Sequence, residues 1–253
     1  QQYYVEGRIK LYEGEYARAR IAFTKSNRQE RIGDLAEKTR YYLALTDFYA
    51  GDYEFAKIQL NALERQNTSY FANDAVQLRI WIQKGLNADT TGSMLEPFAE
   101  AVELFNQGKD DEAVKTIAPI VSGEVYHPMM DEALLTLSNN ITPKITYFTY
   151  AALSDYLDRW GQVSALRERL MWEKARIADQ IVTGNVEVEG PSAEGSSTQP
   201  GEPPEGSAGA SVALPATPSD VVMLYENILL EYPEGFYATF ARNRIQELDK
   251  PQT

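Results

Sequence analysis

A pattern centred on glycine occurs three times in this chain of 253 residues, and it restricts the fold more than any other feature. In each copy an alanine follows the glycine after five residues, and a large apolar residue follows after nine. Tyr16 and Tyr53 stand two residues after the first two glycines, and a weaker fourth copy surrounds Gly161. The three full copies are Gly14, Ala19 and Phe23; Gly51, Ala56 and Leu60; and Gly108, Ala113 and Ile117.

The pattern predicts a pair of antiparallel helices at each copy. A glycine can end the first helix in the left-handed conformation, which costs little without a Cβ atom. An acid at the start of the second helix is favoured by the positive end of the helix dipole. Seven residues before each glycine stands another small residue, namely Gly7, Ala44 or Ala101. Small residues in both helices allow close approach, and the large residue then fills the groove beneath them.

Apolar residues elsewhere recur at intervals of three and four, and no sustained alternation with a period of two calls for strands. We therefore expect an all-α chain of about twelve helices. The predicted helices cover residues 2–13, 16–27, 34–50, 53–66, 70–86, 93–107, 110–122, 128–140, 144–159, 162–182, 219–231 and 235–248.

The turn Gly51-Asp52-Tyr53-x-x-Ala56 resembles the inter-helix turn of the tetratricopeptide repeat family. The resemblance extends over the first two hairpins, residues 93–122 and the exit Tyr232-Pro233. It implies an α-solenoid of stacked helix pairs. Successive turn glycines are 37 and 57 residues apart, so the longer interval holds an additional helix. Residues 16–63 and 70–75 also resemble repeat proteins of the bacterial periplasm and the outer-membrane assembly machinery.

Composition divides the chain into three parts. Residues 190–219 are rich in glycine, proline, serine and alanine and contain no aromatic residue, a composition typical of disordered segments. Between Arg176 and Arg242 there are ten acidic residues and no basic residue. We predict a solenoid over residues 1–182, an acidic linker over 183–218 and a terminal hairpin over 219–253. The hairpin is too small to be stable alone, so we expect it to dock on its own solenoid or on a neighbouring one.

The composition also argues against catalysis, metal binding, nucleic-acid binding and a membrane span. The chain has no cysteine and a single histidine, so we predict no enzyme activity, no metal site and no cofactor. A net charge of −13 disfavours nucleic acid, and no apolar run is long enough to span a membrane. His127 fits a surface or helix-capping role, and Asp110-Asp111-Glu112 fits the first turn of a helix better than a cation site. Four serines of the linker, Ser192, Ser196, Ser197 and Ser211, have no nearby base to activate them.

Tyrosine is the most suggestive residue type, with 16 copies in the chain. Amphipathic tyrosines commonly fill seams between helices with the hydroxyl group at the solvent edge. Some can instead form a binding face, since tyrosine is enriched in interface hot spots. In each of the doublets Tyr3-Tyr4 and Tyr41-Tyr42, we expect one ring in the core and one presented to a partner. The candidate partner-binding residues are Tyr4, Tyr12, Tyr41, Tyr42 and Tyr49.

These features predict a non-catalytic scaffold whose partners are protein segments. The alternative is a self-assembling subunit of an extracellular filament or homo-oligomer, in which the linker and terminal hairpin pack on a neighbouring copy. The start at Gln1-Gln2 suggests removal of a signal peptide, and together with the periplasmic resemblance it favours an exported bacterial protein, periplasmic or extracellular.

Overall fold

The computed structural model describes residues 1–64, 71–186, 188 and 212–249. Within these ranges the chain forms twelve α-helices and no strand, which confirms the predicted all-α class. None of these helices has the length and apolar character needed to cross a bilayer. The helices are α1 (Gln2–Tyr12), α2 (Tyr16–Gln29), α3 (Asp34–Tyr49), α4 (Tyr53–Glu64), α5 (Ala72–Ala88), α6 (Leu95–Asn106), α7 (Asp110–Val121), α8 (Met129–Asn139), α9 (Pro143–Trp160), α10 (Arg167–Val182), α11 (Pro218–Glu231) and α12 (Ala238–Leu248).

Two helices begin three or more residues later than the periodicity predicts. Helix α10 starts at Arg167 instead of residue 162, because the backbone N–H of Leu166 donates to Oγ of Ser164 (3.0 Å) in a turn. Helix α12 starts at Ala238 instead of residue 235, where the N–H of Tyr237 donates to Oε1 of Glu168 (2.8 Å). In both cases a side-chain acceptor takes a backbone donor before the helix begins.

The glycines of the three full repeats adopt the left-handed conformation, with φ of +72° at Gly14, +80° at Gly51 and +71° at Gly108. Each ends its helix there, as expected for a residue without a Cβ atom. Gly161 is different, with a right-handed φ of −52°. An added Cβ atom at Gly161 would clash with Nη1 of Arg167 and with the carbonyl oxygen of Leu157. The fourth copy therefore uses its glycine for close contact with the Arg167 side chain and the preceding helical turn.

Residues 1–108 form the first compact unit, here called unit 1. Each of the helices α1 to α5 packs on the next one along the chain, and α6 also packs on α3. Ala19, Ala44 and Ala56 are fully buried in this unit. A Cβ atom added to Gly7 would lie 2.7 Å from the ring of Phe23. The small residues of the repeat thus lie where helices approach closely.

Residues 109–253 form the second compact unit, unit 2, and its boundary falls inside the segment for which the sequence predicts one solenoid. Helices α7 to α10 pack together, α11 packs on α10, and α12 packs on α11. The terminal pair α11–α12 therefore docks on α10 of its own chain. Most of the predicted linker, including its four serines, lies outside the described residues.

The docked pair is held by polar and aromatic contacts. Arg167 of α10 donates to both carboxylate oxygens of Glu231 in α11, at 2.7 and 2.8 Å. Trp172 of α10 stacks on Tyr237, with 5.1 Å between the ring centroids and 16° between the ring planes. Because a bidentate pair and a stacked ring both fix orientation, the pair has a defined position on α10.

Candidate protein-binding surface

Five aromatic rings from four helical segments meet in unit 1, and we call them the aromatic cluster. Helix α1 contributes Tyr4, α2 contributes Phe23, and α3 contributes Tyr41 and Tyr42. Phe71, the residue before α5, completes the cluster. Phe23 is fully buried, whereas the three tyrosines are half-buried. The cluster therefore has a buried base and a partly accessible rim.

The rings fix one another through short aromatic contacts. Tyr42 stacks on Phe23, with 6.0 Å between centroids and 20° between planes. Tyr4 meets Tyr42 edge to face at 5.9 Å and 71°. Tyr41 stacks on Phe71 at 4.9 Å and 23°. Stacked and edge-to-face pairs are the favourable geometries of aromatic rings, so the surface is held in one arrangement before anything binds.

An exposed cation lies on this cluster. The guanidinium carbon of Arg8 is 4.0 Å from the centroid of Tyr42, a cation–π contact. Its Nη1 atom also donates to the hydroxyl oxygen of Tyr4 at 3.2 Å. Arg8 forms no salt bridge within the part of the chain that the structure describes. The arginine is thus oriented by aromatic groups, and its guanidinium has further hydrogen-bond donors.

The hydroxyl groups of Tyr41 and Tyr42 stay neutral under ordinary conditions, because the pKa of each is raised. Burial raises the pKa of Tyr41 well above its usual value, and the nearby carboxylate of Asp74 adds to the shift. Burial also raises the pKa of Tyr42, although the Arg8 guanidinium lowers it in part. The chemistry available here is stacking and hydrogen bonding.

The five candidate tyrosines do not form one face. Tyr4, Tyr41 and Tyr42 belong to the aromatic cluster, whereas Tyr12 and Tyr49 lie near the end of α6. The hydroxyl oxygen of Tyr49 accepts a hydrogen bond from Nδ2 of Asn106 (2.8 Å), and burial raises the pKa of Tyr49 far above its usual range. The carbonyl oxygen of Tyr12 accepts from Nε2 of Gln107 (3.2 Å), while the Tyr12 side chain is exposed.

Two members of this site, Arg8 and Phe71, were not predicted from the sequence. Arg8 follows Tyr4 by four residues, so helical spacing places both on one side of α1. Phe71 directly precedes α5, where an apolar residue can pack against the preceding helices. The spacing of four residues between Tyr4 and Arg8 was enough to predict that these two side chains are neighbours. The contact of Arg8 with Tyr42 could not be predicted in this way, because the two residues are 34 positions apart in sequence.

The other residues singled out by the sequence have structural roles in this fold. Nδ1 of His127 accepts a hydrogen bond from the backbone N–H of Met129 at the start of α8 (3.1 Å). Asp110, Asp111 and Glu112 lie in the first turn of α7. The hydroxyl group of Tyr16 donates to Glu103 of α6, and the ring of Tyr53 lies 5.9 Å from that of Phe48. Across the described ranges, no group of three or more histidine or acidic residues could hold a metal ion.

No protein-family model and no curated protein matches this chain.

Proposed function

We propose that this protein is a non-catalytic helical-repeat scaffold that binds protein segments through the aromatic cluster of unit 1. The observation that carries the proposal is Arg8, which is exposed, stacked on Tyr42 and without a carboxylate partner in the described chain. Tyrosine and arginine are the residue types most often found at the energetic centre of protein interfaces.

Preorganisation supports the same proposal. Binding normally costs about 0.5–1.5 kcal/mol for each flexible side chain that becomes ordered. Here the rings of Tyr4, Tyr41 and Tyr42 are already fixed by their neighbours, so a partner would order few of them. A partly accessible rim over the buried Phe23 suits an amphipathic or extended segment with both apolar and polar groups.

The scaffold character rests on the repeat. Consecutive packing of helices, left-handed glycine turns and buried small residues support stacked helix pairs in unit 1. Stacked pairs provide extended surfaces for recognition. The resemblance to tetratricopeptide repeats and to periplasmic repeat proteins of bacteria is the basis for placing this function in an exported compartment, periplasmic or extracellular. Cell fractionation with an antibody against the chain tests that location.

A peptide selection tests the binding surface. Peptides selected from a random library against the full chain would be labelled and titrated by fluorescence anisotropy. We expect Arg8→Ala and Tyr42→Ala to weaken binding by about tenfold or more, which corresponds to about 1.4 kcal/mol. Tyr147→Ala, a half-buried tyrosine of α9 in unit 2, is the matched control. Circular dichroism verifies that each variant is folded.

Two results would overturn the proposal. The first is a selection that yields no peptide dependent on the cluster. The second is a selected peptide that binds Arg8→Ala and Tyr42→Ala as tightly as it binds the wild type.

A further inference from the structure

The first helix has an apolar side that no described residue of unit 1 covers. Helix α1 packs on α2 and α3. Val5, Ile9 and Tyr12 are 52%, 51% and 63% exposed. Their spacing of four and three residues places them on one helix face, which we call the α1 stripe. It is distinct from the buried side of α1, which carries Gly7 and Leu11.

The last helical pair has a comparable apolar surface. Phe236 is 74% exposed and Phe240 is 52% exposed. Their ring centroids lie 6.0 Å apart, and Phe240 is 6.1 Å from the ring of Trp172 in α10. We call Phe236 and Phe240 the terminal aromatic face. The contacts that hold α11 and α12 on α10 leave this face open.

Single exposed apolar side chains are common on protein surfaces, but these lie next to one another on one helix face and in one pair of rings. Contiguous exposed apolar groups generally mark an interaction surface. Both faces are therefore expected to bind a partner.

Charge indicates which partner fits. Residues 1–29, which include helices α1 and α2 and the turn between them, contain six basic and three acidic residues, a net charge of +3. Residues 212–249 contain two basic and six acidic residues, a net charge of −4. Two copies joined through like regions would bring like charges together, whereas the α1 region of one copy and the terminal region of another attract.

We propose that copies of this chain associate head to tail, with the α1 stripe of one copy packed on the terminal aromatic face of the next. This goes beyond the binding of protein segments at the aromatic cluster. The contact joins two different surfaces, so an associated pair leaves one surface of each kind free for further growth. Its expected form is a chain of copies whose length increases with protein concentration.

Complementary variants give a direct test. Ile9→Asp places a charge in the α1 stripe, and Phe240→Asp places one in the terminal aromatic face. Each variant alone is expected to remain monomeric in sedimentation velocity under conditions where the wild-type chain associates. Ile9→Asp keeps an intact terminal aromatic face, and Phe240→Asp keeps an intact α1 stripe. An equimolar mixture of the two should therefore form a dimer and nothing larger, because the two remaining surfaces of that dimer are both altered.

Matched controls separate the contact from general effects of charge. Ile32→Asp and Val163→Asp alter side chains that are 90% and 60% exposed outside both faces, and both should associate like the wild type. Val5→Asp and Phe236→Asp repeat the test at second positions if either first variant is misfolded by circular dichroism.

The proposal fails if the wild type stays monomeric at the highest soluble concentration, or if the mixture of Ile9→Asp and Phe240→Asp gives no dimer. It also fails if either variant alone associates like the wild type, which would indicate a contact between two identical faces. Peptide binding at the aromatic cluster is measured separately with Arg8→Ala and Tyr42→Ala, so failure of one proposal is distinguishable from failure of the other.

Discussion

At the scale of single residues, the contact between Gly7 and Phe23 shows how the repeat brings helices together. The ring of Phe23 is fully buried and occupies the space that a side chain at residue 7 would need. Three ring atoms would lie within 2.9 Å of an added Cβ atom. The same ring is the base of the aromatic cluster, so packing in the core and the shape of the proposed surface depend on one pair of residues.

We expect Gly7→Ala to lower the free energy of unfolding by about 1–3 kcal/mol, the usual cost of overpacking a core. The change should also disturb Tyr42, which stacks on Phe23. Chemical denaturation followed by circular dichroism measures the loss. Adding Phe23→Leu should recover part of it, since the smaller side chain makes room. If the double variant loses as much stability as Gly7→Ala and Phe23→Leu lose separately when added together, the two residues are not coupled. That result would contradict this account.

At the scale of elements, the terminal pair depends on α10 for its stability. Arg244 of α12 donates from Nε and Nη2 to the carboxylate of Asp179 in α10, at 2.6 and 2.9 Å. The hydroxyl of Tyr225 also donates to Asp179, at 3.4 Å. Asp179 is largely buried, so its charge needs these donors. One carboxylate thus links three helices of unit 2.

Arg244→Ala should lower the stability of unit 2 by about 2 kcal/mol, because a buried carboxylate loses its cationic partner. Hydrogen exchange should show faster exchange in α11 and α12 than in the wild type. Gln246→Ala, an exposed residue of the same helix, is the control. Unchanged protection of the terminal pair in Arg244→Ala would show that the ion pair does not hold it in place.

The start of α11 should respond to acid. Oδ2 of Asp220 accepts hydrogen bonds from the backbone N–H groups of Ala216 and Thr217 (both 2.9 Å), and these lower the pKa of Asp220 below its usual 3.8. A lowered pKa means that the folded state binds this proton less readily than the unfolded state. The stabilisation is therefore present above pH 3.8 and is lost as the pH falls through the lower folded value.

We expect the unfolding free energy of the wild type to fall more steeply than that of Asp220→Asn as the pH drops below 3.8. Denaturation curves at a series of pH values measure the two slopes. Glu226→Gln changes an exposed acid of the same helix and should keep the wild-type slope. Equal slopes for wild type and Asp220→Asn would show that the Asp220 carboxylate does not cause the loss of stability in acid.

At the scale of the whole molecule, charge is distributed very unevenly along the chain. The acidic excess lies between Arg176 and Arg242, whereas the first two helices are net basic. Such a distribution favours contacts between unlike regions of different copies. It also makes those contacts sensitive to ionic strength.

If copies associate as proposed, added NaCl should raise the protein concentration needed for association. The distance over which charges act falls from about 10 Å at 0.1 M salt to about 3 Å at 1 M. Sedimentation velocity at several NaCl concentrations measures the shift. Glu234→Gln, which removes an exposed charge beside Phe236, should weaken association at low salt. Association that strengthens steadily with NaCl would mean that charge plays no part in it.

The sequence by itself determined what depends on neighbours along the chain. Helical periodicity and the repeat pattern were enough to predict the all-α class and the turns at Gly14, Gly51 and Gly108, because hydrogen bonding and backbone conformation there involve residues a few positions apart. Only the tertiary structure decided which side chains meet across helices. It separated Tyr12 and Tyr49 from the aromatic cluster, placed Arg8 on Tyr42, and divided the chain after Gly108. These outcomes depend on packing between distant residues, for which a single sequence carries no local signal.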